Sequence, residues 1–432
     1  MRRFTKFAIL ASAAFGLSSG PVAAAPEGEV SYVISRGDTL YKLTEDYLLN
    51  PRATARVRQI NRIRNPRRLQ IGQVIRIPRE ILRYEPVDLS IQALSGQVSV
   101  RVGGRARTPE VGLKVAEGTE ISTGANGFIS IAGTRSSRVT IPTNSRVRII
   151  DARRYLINDA IDIQFKILGG RGEVVAPKLN KDEKFRIGTP SAVTAVRGTQ
   201  FRVAFDEAEG RSLTEVVEGE VSVTASEVSK IAGESFGVAV MGQEPSDPEP
   251  LLAPPALIEP GKIQTKASID FAIEPMSDAV GYRTQISKDA GFVELIEETV
   301  QDAPAAQFSE LADGRYFVRS RGIAQSGLEG TSEVHSFRRK RIGAAAGADP
   351  FGDAFKFAWR KEGEGNSYNA FQLWDEKEPG KLLVDEVAME ETAIYISNLG
   401  PGKYRWRVAT FLVEENEIIK VWAPTQEISV SE

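Results

Sequence analysis

From Gln97 onward the sequence alternates, and that alternation constrains the fold more than any other feature. Gln97-Val98-Ser99-Val100-Arg101-Val102, Phe128-Ile129-Ser130-Ile131 and Arg138-Val139-Thr140-Ile141 are short apolar-polar runs, and 193–205 and 213–223 continue them. A period of two sends successive side chains to opposite faces of a strand. Strands spaced about 8–12 residues apart by Gly turns, with little helical periodicity, predict a β sandwich or β-roll. This stretch ends near Val240. The 432 residues allow about three domains at roughly 150 residues each. With no cysteine in the chain, disulfides, thiolate zinc sites and Cys nucleophiles are excluded. The fold must rest on ordinary hydrophobic cores.

The N-terminus has the order of a secretory signal. Arg2, Arg3 and Lys6 precede an apolar run over 7–17, and Val22-Ala23-Ala24-Ala25 supplies small residues before Pro26. Cleavage after Ala24 is expected, which predicts a periplasmic or cell-envelope location. The run is short of the ~20 residues of a spanning helix, so an uncleaved anchor is disfavoured. No later segment approaches a span, and the mature chain is expected to have no transmembrane segment.

Residues 31–78 read differently. Tyr32-Val33-Ile34 is a short strand and Arg36-Gly37-Asp38-Thr39 a turn. Asp38 or Thr39 can cap a helix from Leu40 toward Leu48 that buries Leu40, Leu43, Tyr47 and Leu48. A second helix over 52–61 presents Ala53, Val57 and Ile60. Asn65-Pro66 stops it, and Val74-Ile75-Arg76-Ile77-Pro78 closes a β-α-α-β unit. The Gly-Asp-Thr-Leu turn, Asn61, Asn65-Pro66 and the closing Gly72-Gln73-Val74-Ile75-Arg76-Ile77-Pro78 resemble a LysM domain throughout. The resemblance implies binding of N-acetylglucosamine-containing glycan, here peptidoglycan. By family position it implies Gly37, Asp38, Thr39 and Leu40 on one wall of a groove and Asn61, Ile63, Arg64 and Asn65 on the other. Backbone donors can meet acetamido groups, and Leu40, Ile63 and Leu69 can pack on methyls. Asp38 and Thr39 can equally serve only as caps, and Asn61 only to fix its loop. Nine arginines and no acidic residue occupy 50–79. They form either a solvated face or an electrostatic attraction to anionic wall components.

Residues 96–226 resemble the FecR domain through Gly96-Gln97-Val98-Ser99-Val100, 117–124, 216–221 and above all the Thr189-Pro190 to Val196-Arg197-Gly198-Thr199-Gln200-Phe201 run. In signalling relatives that domain relays a receptor signal to a sigma factor from behind a membrane helix, and no such helix is expected here. Gly118, Gly124, Gly198 and Gly219 are read as turn residues, and Arg197 can pair with a carboxylate such as Glu218. The proline-rich 241–262 predicts a semi-stiff linker. Beyond it the sequence repeats: 311–319 matches 399–407, with Tyr316 and Tyr404 each following a Gly turn. Both copies resemble fibronectin type III domains, with those tyrosines as corner residues.

The expected fold is thus mainly β and multidomain. A signal occupies 1–24, a LysM-like β-α-α-β module 30–80 and a FecR-like sandwich or roll 90–240. Two immunoglobulin-like sandwiches follow at 263–342 and 350–432, joined through the Ala/Gly-rich 343–352. No catalysis is expected. The only histidine is His335, no Gly-x-Ser-x-Gly elbow surrounds a serine, and Gly169-Gly170-Arg171-Gly172 precedes a strand rather than a helix. Carboxylate-pair glycosidases remain formally open. No cofactor or metal is expected, and export disfavours nucleic acid. Two readings stand: a wall-binding interaction protein with an unknown envelope protein as partner, or a periplasmic sensing component acting through the FecR-like domain.

Overall fold

The computed structural model describes residues 28–196, 198–309, 311–414 and 417–431, in two compact units. The signal expected at 1–24 and Arg197 lie outside the described residues. The first unit contains residues up to 85 together with 154–160 and 180–182. Its strands β1 (Glu29–Val33) and β2 (Val74–Pro78) pair antiparallel, with Val30 opposite Ile77 and Tyr32 opposite Ile75. Between them run α1 (Leu40–Tyr47), a 3-10 turn at Pro51–Ala53 and α2 (Thr54–Ile60). Thr39 caps α1 by accepting from the Lys42 N–H at 3.1 Å. Asn50 caps the 3-10 turn in the same way, with Pro51 at its start. The core gathers Val30, Ile34, Leu40, Leu43, Leu48, Val57, Ile75 and Ile77. Tyr155 and Ile157 complete it, 1% and 6% exposed, so the module is not confined to 30–80.

In the second unit the strands from Leu89–Ser95 to Glu249–Pro250 belong to one continuous sheet that closes on itself. Ile163, Phe165, Phe185, Phe201, Val216 and Val238 fill its interior. The Thr-Pro-Ser-Ala motif is a tight turn: Thr189 donates its N–H to the Ala192 carbonyl at 2.8 Å and accepts from the Ala192 N–H at 2.9 Å. Gly219 has φ +88°, and a Cβ there would meet Thr199 at 2.6 Å. Gly124 has no positive φ, and a Cβ there would meet first the flexible end of the Gln97 side chain, 2.5 Å away.

The proline-rich segment is not a free linker. Glu244–Pro245 and Glu249–Pro250 pair with Phe236–Met241, and Leu257–Ile258 is the first strand of the next sandwich. Apolar burial fixes it: Leu251 packs beside Ala204, Leu213 and Leu328. That sandwich sets Leu257–Ile258, Ile269–Ile273 and Ala305–Phe308 against Leu295–Gln301, Gly281–Ser287, Gly314–Ile323 and Val334–Arg339. Gly343–Phe351, expected as a linker, is likewise a strand, paired over its whole length with Ala354–Glu362 in the second sandwich. Its small alternating residues let Ala344, Ala346 and Ala348 pack on the core. Tyr316 donates to the Ala312 carbonyl and Tyr404 to the Gly400 carbonyl, both at 2.9 Å. Those are the corner bonds that the repeat predicted.

The first sandwich meets the closed sheet through buried charge. Arg202 donates to Glu215 at 2.9 Å and to the carbonyls of Glu329 and Gly330 at 2.7 and 2.8 Å. Glu329 is 1% exposed and lies within 3.3 Å of Arg171, Arg283 and Arg321. Glu173 faces Arg319 at 2.6 Å and Arg321 at 2.9 Å. Burial pushes both carboxylates up, but the guanidiniums outweigh it and hold Glu329 and Glu173 well below the usual range. Phe292 seals one side of the junction against Phe128 and Leu295.

Candidate functional site

The two walls expected in the first unit are adjacent. The Leu40 N–H, at the start of α1, donates to the Pro66 carbonyl at 3.3 Å, which fastens the first turn to the loop after α2. Gly37, at φ +93°, makes the sharp bend that brings the chain to this point. The polar side chains of the two walls are largely engaged within the fold. Asp38 accepts from the Ser35 N–H at 2.7 Å and from the Tyr32 hydroxyl at 3.0 Å. Burial, and then this bond to Asp38, raise the Tyr32 phenol above its ordinary value. Asn61 donates to the carbonyls of Val57 and Arg76 at 2.8 and 2.6 Å, and accepts from the Arg76 N–H at 2.7 Å. Asn65 accepts from the Arg67 N–H at 3.0 Å. Thr39 makes the helix cap and Asn61 fixes its loop, whereas Asp38 does not cap α1 and instead braces the turn against Ser35 and Tyr32.

Leu40 is 1% exposed and belongs to the core, which removes its side chain from the groove wall. Ile63 and Leu69 are half-buried at the core's edge. Arg64 and Asn65 are exposed. A shallow concavity of about 420 Å³ lies on the α2 side, lined by Ala55, Arg58, Gln59, Arg62, Ile63 and Arg64. It gathers Ile63 and Arg64 but none of Gly37–Leu40. Arg58, Gln59 and Arg62 were not among the residues expected at a site, although the Arg58–Arg62 spacing of four was visible.

The nine arginines divide. Arg79 is buried, with its guanidinium over the Tyr155 ring at 5.4 Å, and it donates to the Asp182 carbonyl. It therefore takes no part in a solvated face. Arg56 pairs with Glu80 at 3.1 Å and Arg76 lies 3.6 Å from Glu29. Arg52, Arg58, Arg62, Arg64, Arg67 and Arg68 are exposed.

The LysM domain family matches residues 32–78, and the FecR protein family matches residues 119–222. The chain carries a LysM domain followed by a FecR domain. No curated protein matches it significantly. Similar solved structures include a candidate anti-sigma factor from Parabacteroides distasonis ATCC 8503, 16% identical, with a TM-score of 0.26. That match covers 30% of this chain and 59% of the other, so the chain spans little more than half of its length. The chicken CNTN1 FN1–FN3 domains are 12% identical over 66% of this chain and 97% of theirs, with a TM-score of 0.21. The fibronectin(III)-like modules of Clostridium thermocellum CbhA are 11% identical over 41% and 94%, also at 0.21. LysM and FecR domains are typical of envelope proteins and generally non-catalytic. No helix among the described residues is long and apolar enough to cross a membrane.

Proposed function

We propose that the protein is an exported, non-catalytic envelope protein that holds peptidoglycan through its LysM domain and offers its β domains to an envelope protein. The observation that carries this reading is the Leu40–Pro66 backbone bond inside the matched LysM segment, which sets the two loops side by side. With Leu40 in the core and the polar side chains engaged, glycan contact falls to loop backbone groups, Ile63, Leu69 and the exposed Arg64. The signal over 1–24 and its cleavage near Ala24 belong to the same proposal, as does the order of LysM module, FecR domain and two sandwiches, with the bounds 30–80, 263–342 and 350–432 widened to take in 154–160, Leu257 and Gly343.

A second reading, sensing through the FecR domain, is favoured by the match over 119–222. Cosedimentation of the purified protein with sacculi tests the first reading. Binding without loss of sacculus turbidity is expected, and failure to cosediment sinks it. In-cell crosslinking separates the two: capture of wall and scaffold proteins supports the first, and a receptor or membrane-bound regulator the second.

A further inference from the structure

Two cavities flank the charged junction between the FecR domain and the first sandwich. The larger, about 660 Å³, sets Arg171, Arg211 and Arg283 against Asp206, Glu207, Glu298 and Glu329. The smaller, about 320 Å³, has Arg138, Arg202, Arg319 and Arg321 on its wall and Glu173 as its single carboxylate. The junction as a whole is also unbalanced. Arg171, Arg202, Arg283, Arg319 and Arg321 face Glu173, Glu215, Glu298 and Glu329, five cations against four anions. A buried charge left without a counter-charge is costly.

The surplus falls at the smaller cavity. There Arg319 and Arg321 share Glu173, and Arg138 donates to the Gly291 carbonyl at 3.0 Å rather than to a carboxylate. Arg321 is 2% exposed, and its Nε has no hydrogen-bond partner among the described residues. Burial, then the neighbouring Arg321 guanidinium, pull Arg319 down to about 9. Thr140, Thr331 and Ser332 add hydroxyl donors to the wall.

We infer that the smaller cavity binds a small oxyanion of the phosphate or carboxylate class, held by Arg138, Arg319 and Arg321 between the FecR domain and the first sandwich. Guanidinium forks match the paired oxygens of both classes, and the anion supplies the counter-charge that the junction lacks. This inference is independent of the glycan reading.

Calorimetric titration of the mature chain with inorganic phosphate, and separately with citrate, at constant ionic strength in chloride, tests it. Saturable binding near one site per chain is expected in at least one arm, and the stronger arm identifies the class. Arg138→Gln should weaken it roughly tenfold, the worth of one charge-assisted hydrogen bond. Arg319→Gln should weaken it further, with thermal unfolding checking that each variant is folded. Arg107→Gln, on an exposed strand of the same unit, should leave it unchanged. The site is refuted by absence of saturable heat with both probes, by binding that chloride competes away at equal strength, or by binding indifferent to Arg138→Gln.

Discussion

Glu329 accepts from the Nε of Arg283 at 2.5 Å while both belong to the first sandwich, and the same carboxylate reaches across to Arg171 of the FecR domain. With Arg321, three guanidiniums therefore share this one charge. Glu329→Gln keeps the shape but removes that charge, and should cost about 3–5 kcal/mol, as expected when a buried ionic group loses its partner. Chemical denaturation should show the midpoint falling. A shift within error would mean that the network is energetically idle.

The same cluster fixes the sign of an acid response. Glu329 and Glu173 are held below their ordinary 4.5 in the folded protein. Their stabilisation is therefore fully present above about pH 4.5 and is lost as the pH falls below it. Thermal unfolding of the second unit should change little between pH 7 and pH 5 on this account, then drop steeply toward pH 3. A steep loss already between pH 7 and pH 5 would contradict the assignment.

Asn61 ties the end of α2 to β2 through both of its amide atoms. Asn61→Ala leaves the Arg76 backbone groups without that partner and should destabilise the first unit by about 1–3 kcal/mol. Hydrogen exchange at Arg76 and Ile77 reads the effect directly. Sacculus binding should fall in parallel with stability, so loss of binding with unchanged exchange would place Asn61 on the glycan instead.

Tyr155 is 1% exposed in the core of the first unit. Tyr155→Ala should cost about 3–5 kcal/mol, by analogy with other buried aromatic truncations. A fragment ending at Glu85 lacks the side chain altogether and should unfold at lower denaturant than the first unit does in the intact chain. Equal midpoints would show that residues 154–160 add nothing to this core.

Arg58, Arg62 and Arg64 line one concavity. If they draw the protein to anionic wall groups, changing all three to Gln should weaken cosedimentation with sacculi at low salt. The difference should shrink as the screening length falls from about 10 Å at 0.1 M to about 3 Å at 1 M. Identical retention of both proteins at every salt would leave the arginines a solvated face.

The β-α-α-β order, the strand-rich middle and the corner tyrosines were legible because each is local. Period-two alternation needs only neighbours, and Tyr316 reaches Ala312 four residues away. The linkers misread because proline and alanine content reports what a backbone disfavours, not what packs on it. Leu251 and Ala344 are held by residues distant in the chain. The ionic junction was invisible for the same reason: Arg171, Glu215 and Glu329 are ordinary surface-type residues until two strands of the closed sheet meet the loop between Gly314–Ile323 and Val334–Arg339. Within the candidate groove, the meeting of the first turn with the loop after α2 was legible, while the residues assigned to its two walls came from the LysM resemblance. That Leu40 is core and Asn61 a backbone brace needed the geometry.

The first unit draws on three separate stretches, so the chain passes between it and the second unit five times, after residues 85, 153, 160, 179 and 182. A tether of that kind behaves unlike a bead on a string. If the LysM domain grips the wall while a partner pulls on the sandwiches, the load passes through the single peptide link after residue 85 and, in parallel, through the packing of Tyr155 and Ile157 in the same core. A cut after residue 85 would leave that packing as the whole attachment, so release of the anchor by one proteolytic nick would report the strength of a non-covalent joint.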